Sequence, residues 1–330
     1  MVGEVTGLVF VDIDGPRSGS GRAVTGAYLP VTLPSIKRRS VAIDANGRVG
    51  CNRACRIAFA VRLETCFFMR AASSAPVDRD LLTMDLGIAG RTAAVAAGSA
   101  GLGFGSARAL VENGVRVALC GRNEERLIAA ARSLGPLAVP LVADVSTVEG
   151  AVAFVEAARA ELGHIDILVA NAGGPPPGTF ASTPLAAYLP AIELSLLSTV
   201  AMCQAVVPEM QSRRWGRIVA ITSISVRQPI ANLVLSNTAR AGLTGFLKTL
   251  AREIAADGVT VNSVQPGVHA TERIANVYSS MADAAVGVPA GVVGDPNDFG
   301  QIVAFLCSEQ SRFITGAALP VDGGSYAGLQ

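Results

Sequence analysis

From Thr92 to the C-terminus, short apolar runs alternate with longer stretches in which apolar residues recur three and four positions apart. Thr92 to Ala97, Val115 to Cys120, Ala138 to Ala143, Ile165 to Ala170, Arg217 to Thr222 and Val259 to Val264 read as buried strands, being short, apolar and rich in Val, Ile and Ala. Ser106 to Glu112, Glu124 to Ser133, Val148 to Glu161, about Leu185 to Met210, and about Leu233 to Ala256 carry helical spacing. Asp295-Pro296 supplies an N-cap and a first-turn proline for one more helix over Phe299 to Leu306. A last strand near Leu319 to Val321 closes the series. Alternation of this kind predicts the α/β class, with a doubly wound parallel sheet over residues 84–330. In such a sheet a ligand sits at the carboxyl ends of the strands.

Residues 1–83 read differently. Eleven Lys or Arg stand against seven Asp or Glu, Gly, Ser and Pro punctuate the stretch, and no sustained period emerges. Three readings are open: a disordered extension, a targeting segment, or sequence upstream of a true start at Met84. A secretory signal fits poorly, because no charged region leads into an apolar one. Early acids (Glu4, Asp12, Asp14) fit a transit peptide poorly. The upstream-start reading is favoured, with an irregular extension over 1–83 and a single domain over 84–330.

Composition narrows the class further. Half of the residues are hydrophobic, 16% are charged and 5% are aromatic, which suits small-residue helices packed on a Val-rich sheet. A net charge of +1 gives no sign of a nucleic-acid surface. Charges, Gly or Pro interrupt every apolar run of about 18 residues, so no membrane span is expected. Cys51, Cys55 and Cys66 cluster without a fourth ligand nearby, since the only histidines are His164 and His269; no metal site is expected. Cys120, Cys203 and Cys307 fall in apolar segments, as reduced core thiols of a cytoplasmic protein do.

Chemistry first shows itself after the first strand of the regular region. Gly98-Ser99-Ala100-Gly101-Leu102-Gly103 leads directly into a helix. Glycines there permit a tight turn and close approach of a pyrophosphate, which the helix N-terminus favours through unpaired N–H groups and its dipole. After the second strand, an NAD site commonly places an acid for the ribose 2′-hydroxyl. This chain has Gly121-Arg122 instead, and an arginine suits a 2′-phosphate. NADP(H) is therefore the expected cofactor, with NAD(H) possible.

These features, with others in fixed order, make the chain from Met84 onward resemble the classical short-chain dehydrogenase/reductases, a Rossmann-like family. Asp144-Val145 resembles the family's adenine contact, and Asn171-Ala172-Gly173 its Asn-Ala-Gly signature. Pro266-Gly267, with Thr271 beyond, resembles the loop bordering the nicotinamide. Ile314-Thr315-Gly316 and Val321-Asp322-Gly323-Gly324 resemble its C-terminal signature. The resemblance implies hydride transfer between nicotinamide and a carbonyl or secondary alcohol, similar to 3-oxoacyl reductases. A homodimer or homotetramer is the family's default.

The active-site pattern departs from the family's Asn, Ser, Tyr and Lys. Ser223 keeps the Ser, but Ser236 stands where the Tyr belongs and Arg240 where the Lys belongs. Ser195 occupies the expected Asn position, and Ala96-Ala97 replaces the usual Thr-Gly ahead of the phosphate loop. A phenol lowered by a neighbouring lysine donates a proton near neutral pH, whereas a serine is a far weaker acid. Arginine keeps its proton in proteins, so Arg240 cannot relay one, although it can bond the nicotinamide ribose and polarise a carbonyl alongside Ser223. Tyr278 and His269 are the candidates for a replacement acid, each set against an ordinary packing role; Lys248 reads as a surface residue. Two functions therefore compete: a reductase with an altered site, and a nucleotide-binding protein with little or no catalysis, acting as sensor or partner subunit. The stiff Gly174-Pro175-Pro176-Pro177-Gly178 loop either shapes the pocket wall or is a plain connection. The small-residue stretch from Ala270 to Val292 is expected to cover the substrate.

Overall fold

The computed structural model describes residues 5–12, 26–33 and 84–329. The chain divides into two units, Met1–Asp78 and Arg79–Gln330. In the first, β1 (Val5–Asp12) pairs antiparallel with β2 (Gly26–Leu33). The sequence pattern did not predict this pairing, because Gly7 and Pro30 interrupt the apolar runs. Cys51, Cys55 and Cys66 lie outside the described residues.

The second unit is built on a seven-stranded parallel sheet. Its strands are β3 (Thr92–Val95), β4 (Arg116–Gly121), β5 (Ala138–Val142), β6 (Ile167–Ala170), β7 (Gly216–Ile221), β8 (Val259–Pro266) and β9 (Ala318–Val321). Their order across the sheet is β5-β4-β3-β6-β7-β8-β9. The order reverses between β3 and β6, and this reversal opens a crevice at the carboxyl ends. Apolar residues on both faces of the strands are fully buried. On one face Ala94, Ala118, Leu168, Ile218 and Val261 meet Phe154, Met202 and Leu247. On the other, Val95, Val117, Ile167 and Val219 meet Leu110, Leu127 and Phe299.

The helices follow the predicted spacing, and local chemistry fixes their starts. Helix α1 spans Gly101–Glu112, so the glycine loop itself forms its first turn. The Asn123 side chain caps α2 (Glu124–Leu134) by accepting from Arg126 N–H, and Thr147 caps α3 (Val148–Leu162) by accepting from Gly150 N–H.

The stretch predicted as one long helix from Leu185 is broken. A short 3₁₀ turn precedes α4 (Tyr188–Ile192), a π turn covers Glu193–Leu197, and α5 (Ser198–Ser212) follows. Leu185–Ser212 is long and apolar enough to cross a membrane by length and composition, contrary to the sequence expectation, because Pro190, Glu193 and Pro208 do not lower its average enough. Here it packs Met202, Cys203, Val206 and Met210 into the core instead. The remaining helices are α6 (Val234–Ile254), the short α7 (Glu272–Ala275) and α8 (Met281–Ala285), and α9 (Pro296–Leu306). Asp295 caps α9 as predicted, accepting from Asn297 N–H at 2.7 Å.

Burial pushes the thiols of Cys120, Cys203 and Cys307 up to about 12, so they stay protonated and unreactive in the core.

Candidate active site

The phosphate loop is shaped by contacts that only small residues allow. A Cβ on Gly103 would run into the Ala97 carbonyl oxygen, and one on Gly98 would meet Leu119 at 2.9 Å. Gly101 takes a left-handed φ of +57°. No side chain caps α1, so the N–H groups of Gly101, Leu102 and Gly103 have no partner within the helix. Ser99 packs against Gly121 at the end of β4. Asn171 Nδ2 donates to the Ala97 carbonyl at 3.3 Å, tying the end of β6 to the loop. Ala97, where the family has glycine, is held at φ +48°. That conformation costs an alanine about 1 kcal/mol.

Across from this loop stands the segment after β8. Gly267 N–H donates to Val321 O at 3.0 Å, and a Cβ there would meet Asp322 at 2.7 Å. The Thr271 side chain lies 3.4 Å from the position of a Cβ on Gly101. The cleft between the two segments encloses about 550 Å³ and is lined by Ala100, Gly101, Phe104, Thr271, Glu272 and Asp295 among others. Arg122 is exposed just past β4, as is Asp144 past β5, while Val145 is buried. Free helical N–H groups, a cradle that a Cβ would fill, and an arginine past β4 together fit the pyrophosphate and 2′-phosphate of a dinucleotide.

Arg240 lies 7% exposed on α6. Its Nη1 donates to the carbonyls of Ile221 (2.9 Å) and Thr222 (2.8 Å), and Nη2 lies 3.5 Å from Gly173 O. The side chain thus clamps the ends of β6 and β7, next to Ser223. Burial lowers its pKa to about 10, with the charge of Arg273 adding to the effect; it remains a cation at neutral pH and relays no proton. Ser223 Oγ accepts from Ser225 N–H at 3.0 Å, which leaves its own hydrogen free to donate outward. Ser236 is buried one turn before Arg240 on α6. Ser195 sits in the π turn packed against α6, and its buried Oγ has no hydrogen-bond partner among the described residues. π turns of this kind often mark functional sites.

The replacement acids fare unequally. His269 is buried, with its ring edge-on to Phe299 at 5.1 Å and its Nδ1 3.3 Å from Gly267 O. Burial lowers its pKa, so it is neutral at pH 7 and packs rather than donates. Tyr278 is partly exposed beyond α7. Lys248 donates to Gly316 O at 2.9 Å, away from Arg240, as the surface reading expected. The proline loop joins the end of β6 to the start of α6, where Gly178 N–H donates to Asn232 O at 2.6 Å. It therefore frames both carriers of the site.

Sequence reasoning missed two arginines. Arg126, in the first turn of α2, pairs with Glu272 at 3.1 Å across the cleft. The Arg273 guanidinium lies on Gly174, where it would collide with a Cβ. The signal was present as Glu272-Arg273 directly after Thr271, but only the fold carries that loop across to β6.

The fold and crevice define an α/β protein that holds a dinucleotide at the carboxyl ends of its strands. Residues 96–326 match the family model described as enoyl-(acyl carrier protein) reductase. The acetoacetyl-CoA reductase of Cupriavidus necator is 32% identical over 243 residues, covering 72% of this chain and 99% of that protein. A 3-oxoacyl-(acyl-carrier-protein) reductase of Vibrio cholerae is 33% identical, over 73% of this chain and 99% of that protein. Among solved structures, L-sorbose reductase from Gluconobacter frateurii, complexed with NADPH and L-sorbose, superposes with a TM-score of 0.71 at 31% identity, covering 74% of this chain and all of that one. An NADPH-bound short-chain oxidoreductase from Pseudomonas aeruginosa PAO1, described as containing an atypical catalytic center, superposes at 0.68 with 31% identity, covering 72% of this chain and 98% of that one. This chain belongs to the classical short-chain dehydrogenase/reductase family of oxidoreductases.

Proposed function

We propose that this chain is an NADP(H)-dependent reductase of a small carbonyl compound, or in reverse a dehydrogenase of a secondary alcohol. The observation that carries the reading is the uncapped first turn of α1, with Gly101 and Gly103 in positions a side chain would disturb, facing Thr271 across the cleft. Gly98, Ser99, Gly101, Leu102 and Gly103 hold the pyrophosphate. Asp144 and Val145 border the adenine, and Asn171, Ala172, Gly173, Pro266 and Gly267 border the nicotinamide. Arg122, with Arg126 beside it, receives the 2′-phosphate. Bound NADPH supplies the hydride.

The chain's own residues orient and polarise. Ser223 donates a hydrogen bond to the carbonyl oxygen, and Ser236 lies at the position from which the family's proton donor acts. Arg240 fixes the strand end beneath them and keeps a positive charge close to the oxygen as negative charge develops there. Ser195 completes the set. Losing the usual phenol costs about 10²–10⁴ in rate, so turnover is slow unless the substrate is activated. The NADPH-bound relative from Pseudomonas aeruginosa with its atypical center supports a cofactor site that tolerates an unusual catalytic set.

Titration of the purified full chain with NADPH and NADH, followed by a panel of carbonyl compounds, tests this reading. Tighter binding of NADPH than NADH, with oxidation by at least one carbonyl, is expected. The second reading, a nucleotide-binding protein without turnover, is favoured by one observation: Arg240 spends its bonds on backbone carbonyls. NADPH binding with no oxidation by any compound would select it. Residues 84–330 form the active unit, with 1–83 an extension outside it. The exposed Leu185, Leu189 and Leu197, in the 3₁₀ turn, α4 and the π turn, support a homodimer or homotetramer; a cytoplasmic location is part of the same proposal.

A further inference from the structure

We infer that Arg240 and Arg273 form an anion-binding pair astride the Gly173–Gly174 backbone, and that the substrate is a small oxo acid, or hydroxy acid, carrying its own carboxylate. This rests on the reductase reading above and names its substrate class.

Arg240 donates to Gly173 O from one side, and the Arg273 guanidinium lies against Gly174 on α7. Two cations thus share two adjacent peptide units at the carboxyl end of β6. Among the described residues neither arginine is paired with a carboxylate, whereas Arg91, Arg126, Arg213 and Arg217 are. Glu272, the acid next in sequence to Arg273, is engaged by Arg126 on the far side of the cleft. Their mutual repulsion is felt, since the charge of Arg273 disfavours the cationic form of Arg240.

Two guanidiniums side by side without a carboxylate cost the fold electrostatic energy. A carboxylate between them removes the repulsion and takes charge-assisted hydrogen bonds from the Arg273 fork and from the Arg240 N–H groups that the backbone carbonyls leave free. The position matters as much as the charge. Arg240 also holds the Thr222 carbonyl beside Ser223, so an anion bound here sits a few bonds from a carbonyl at Ser223. Oxo acids with the two groups separated by zero to two carbons meet that spacing, and neutral acyl esters leave the pair unmet.

The decisive experiment uses calorimetry on the full chain saturated with NADP⁺, with pyruvate, acetoacetate and levulinate as probes, and the methyl ester of each as the uncharged match. NADPH affinity is measured first on the same preparation. At least one acid is expected to bind about tenfold or more tightly than its ester, as a charge-assisted bond implies. Arg273→Gln, a change at an exposed side chain, should abolish that preference and leave NADPH affinity within about twofold. Arg240→Lys, which keeps the charge and loses the fork, should fall between. Equal binding of acid and ester, or no binding of any acid, overturns the inference. So does an Arg273→Gln chain that loses NADPH and keeps the acid preference, because Arg273 would then serve a cofactor phosphate. Failure of the unaltered chain to bind NADPH strikes at the cofactor reading instead, and is seen before any acid is added.

Discussion

Two buried arginines sit at opposite ends of the same sheet, and their surroundings differ in kind. Arg217, on β7 near the amino ends of the strands, is 2% exposed. It donates to Ser308 O and Gly216 O, faces Glu309 at 3.6 Å, and lies over the Trp215 ring at 4.3 Å. Around it, Asp166 binds Arg91, Arg213 and His164, and Arg91 also reaches Glu309 and Trp215. Arg217, Arg91, Arg213, Asp166 and Glu309 each have a partner of opposite charge within the chain. Arg240, at the carboxyl ends, is as deeply placed but among the described residues has carbonyls for partners and a second cation for a neighbour. The network around Arg217 is satisfied within the chain, whereas the open charge of Arg240 is where we propose that a ligand completes the balance.

The largest effect is expected at the closed end. Arg217→Leu should cost about 3 kcal/mol of stability by stranding its carbonyls and Glu309, read as a lowered denaturation midpoint, with NADPH affinity unchanged. A midpoint that does not move would break the comparison. Arg240→Leu should shift the balance the other way: kcat/KM falls about 10²-fold, or about 2.7 kcal/mol of transition-state stabilisation, while the midpoint falls by less than for Arg217→Leu, because the loss of an unbalanced buried charge offsets the carbonyls it strands. A loss of stability matching that of Arg217→Leu would show both arginines to be structural.

Smaller changes sharpen the picture at the loops. Ala97→Gly should raise stability by about 1 kcal/mol, since glycine accepts φ +48° without strain, and thermal melting measures it. The smallest effect belongs to His269. Its folded pKa lies below its unfolded value, so the unfolded chain binds the extra proton first. Its contribution is therefore complete above the unfolded value near 6.5 and fades as pH falls below it. His269→Leu should flatten the pH dependence of the midpoint between about pH 7 and 5. An unchanged slope would mean that the imidazole is not buried as described.

Much of this was written in local pattern. Seven strands of the sheet and the longer helices between them were visible because each buries an apolar run or face of fixed period, whereas the short α7 and α8 were not. The Asp295 cap and the glycine loop were legible because their chemistry acts within a few residues. The break at Glu193–Leu197 was not, because the apolar spacing there still reads as helix. The β1–β2 pairing was hidden by Gly7 and Pro30 within its strands. Arg126 and Arg273 escaped for another reason: a charge reveals its partner, or its want of one, only across distant segments.

The sequence alone determined the order of the strands and longer helices, the glycine loop after β3, and the Ser236 and Arg240 that we propose stand in place of the family's Tyr and Lys, all set by residue type at fixed spacing. Tertiary structure alone decided what those exchanges mean. It set Arg240 against the ends of β6 and β7, buried His269 out of contention, and brought Arg273 onto Gly174. Electrostatic balance is summed over neighbours in space, and residues 174, 240 and 273 become neighbours only once the sheet has formed.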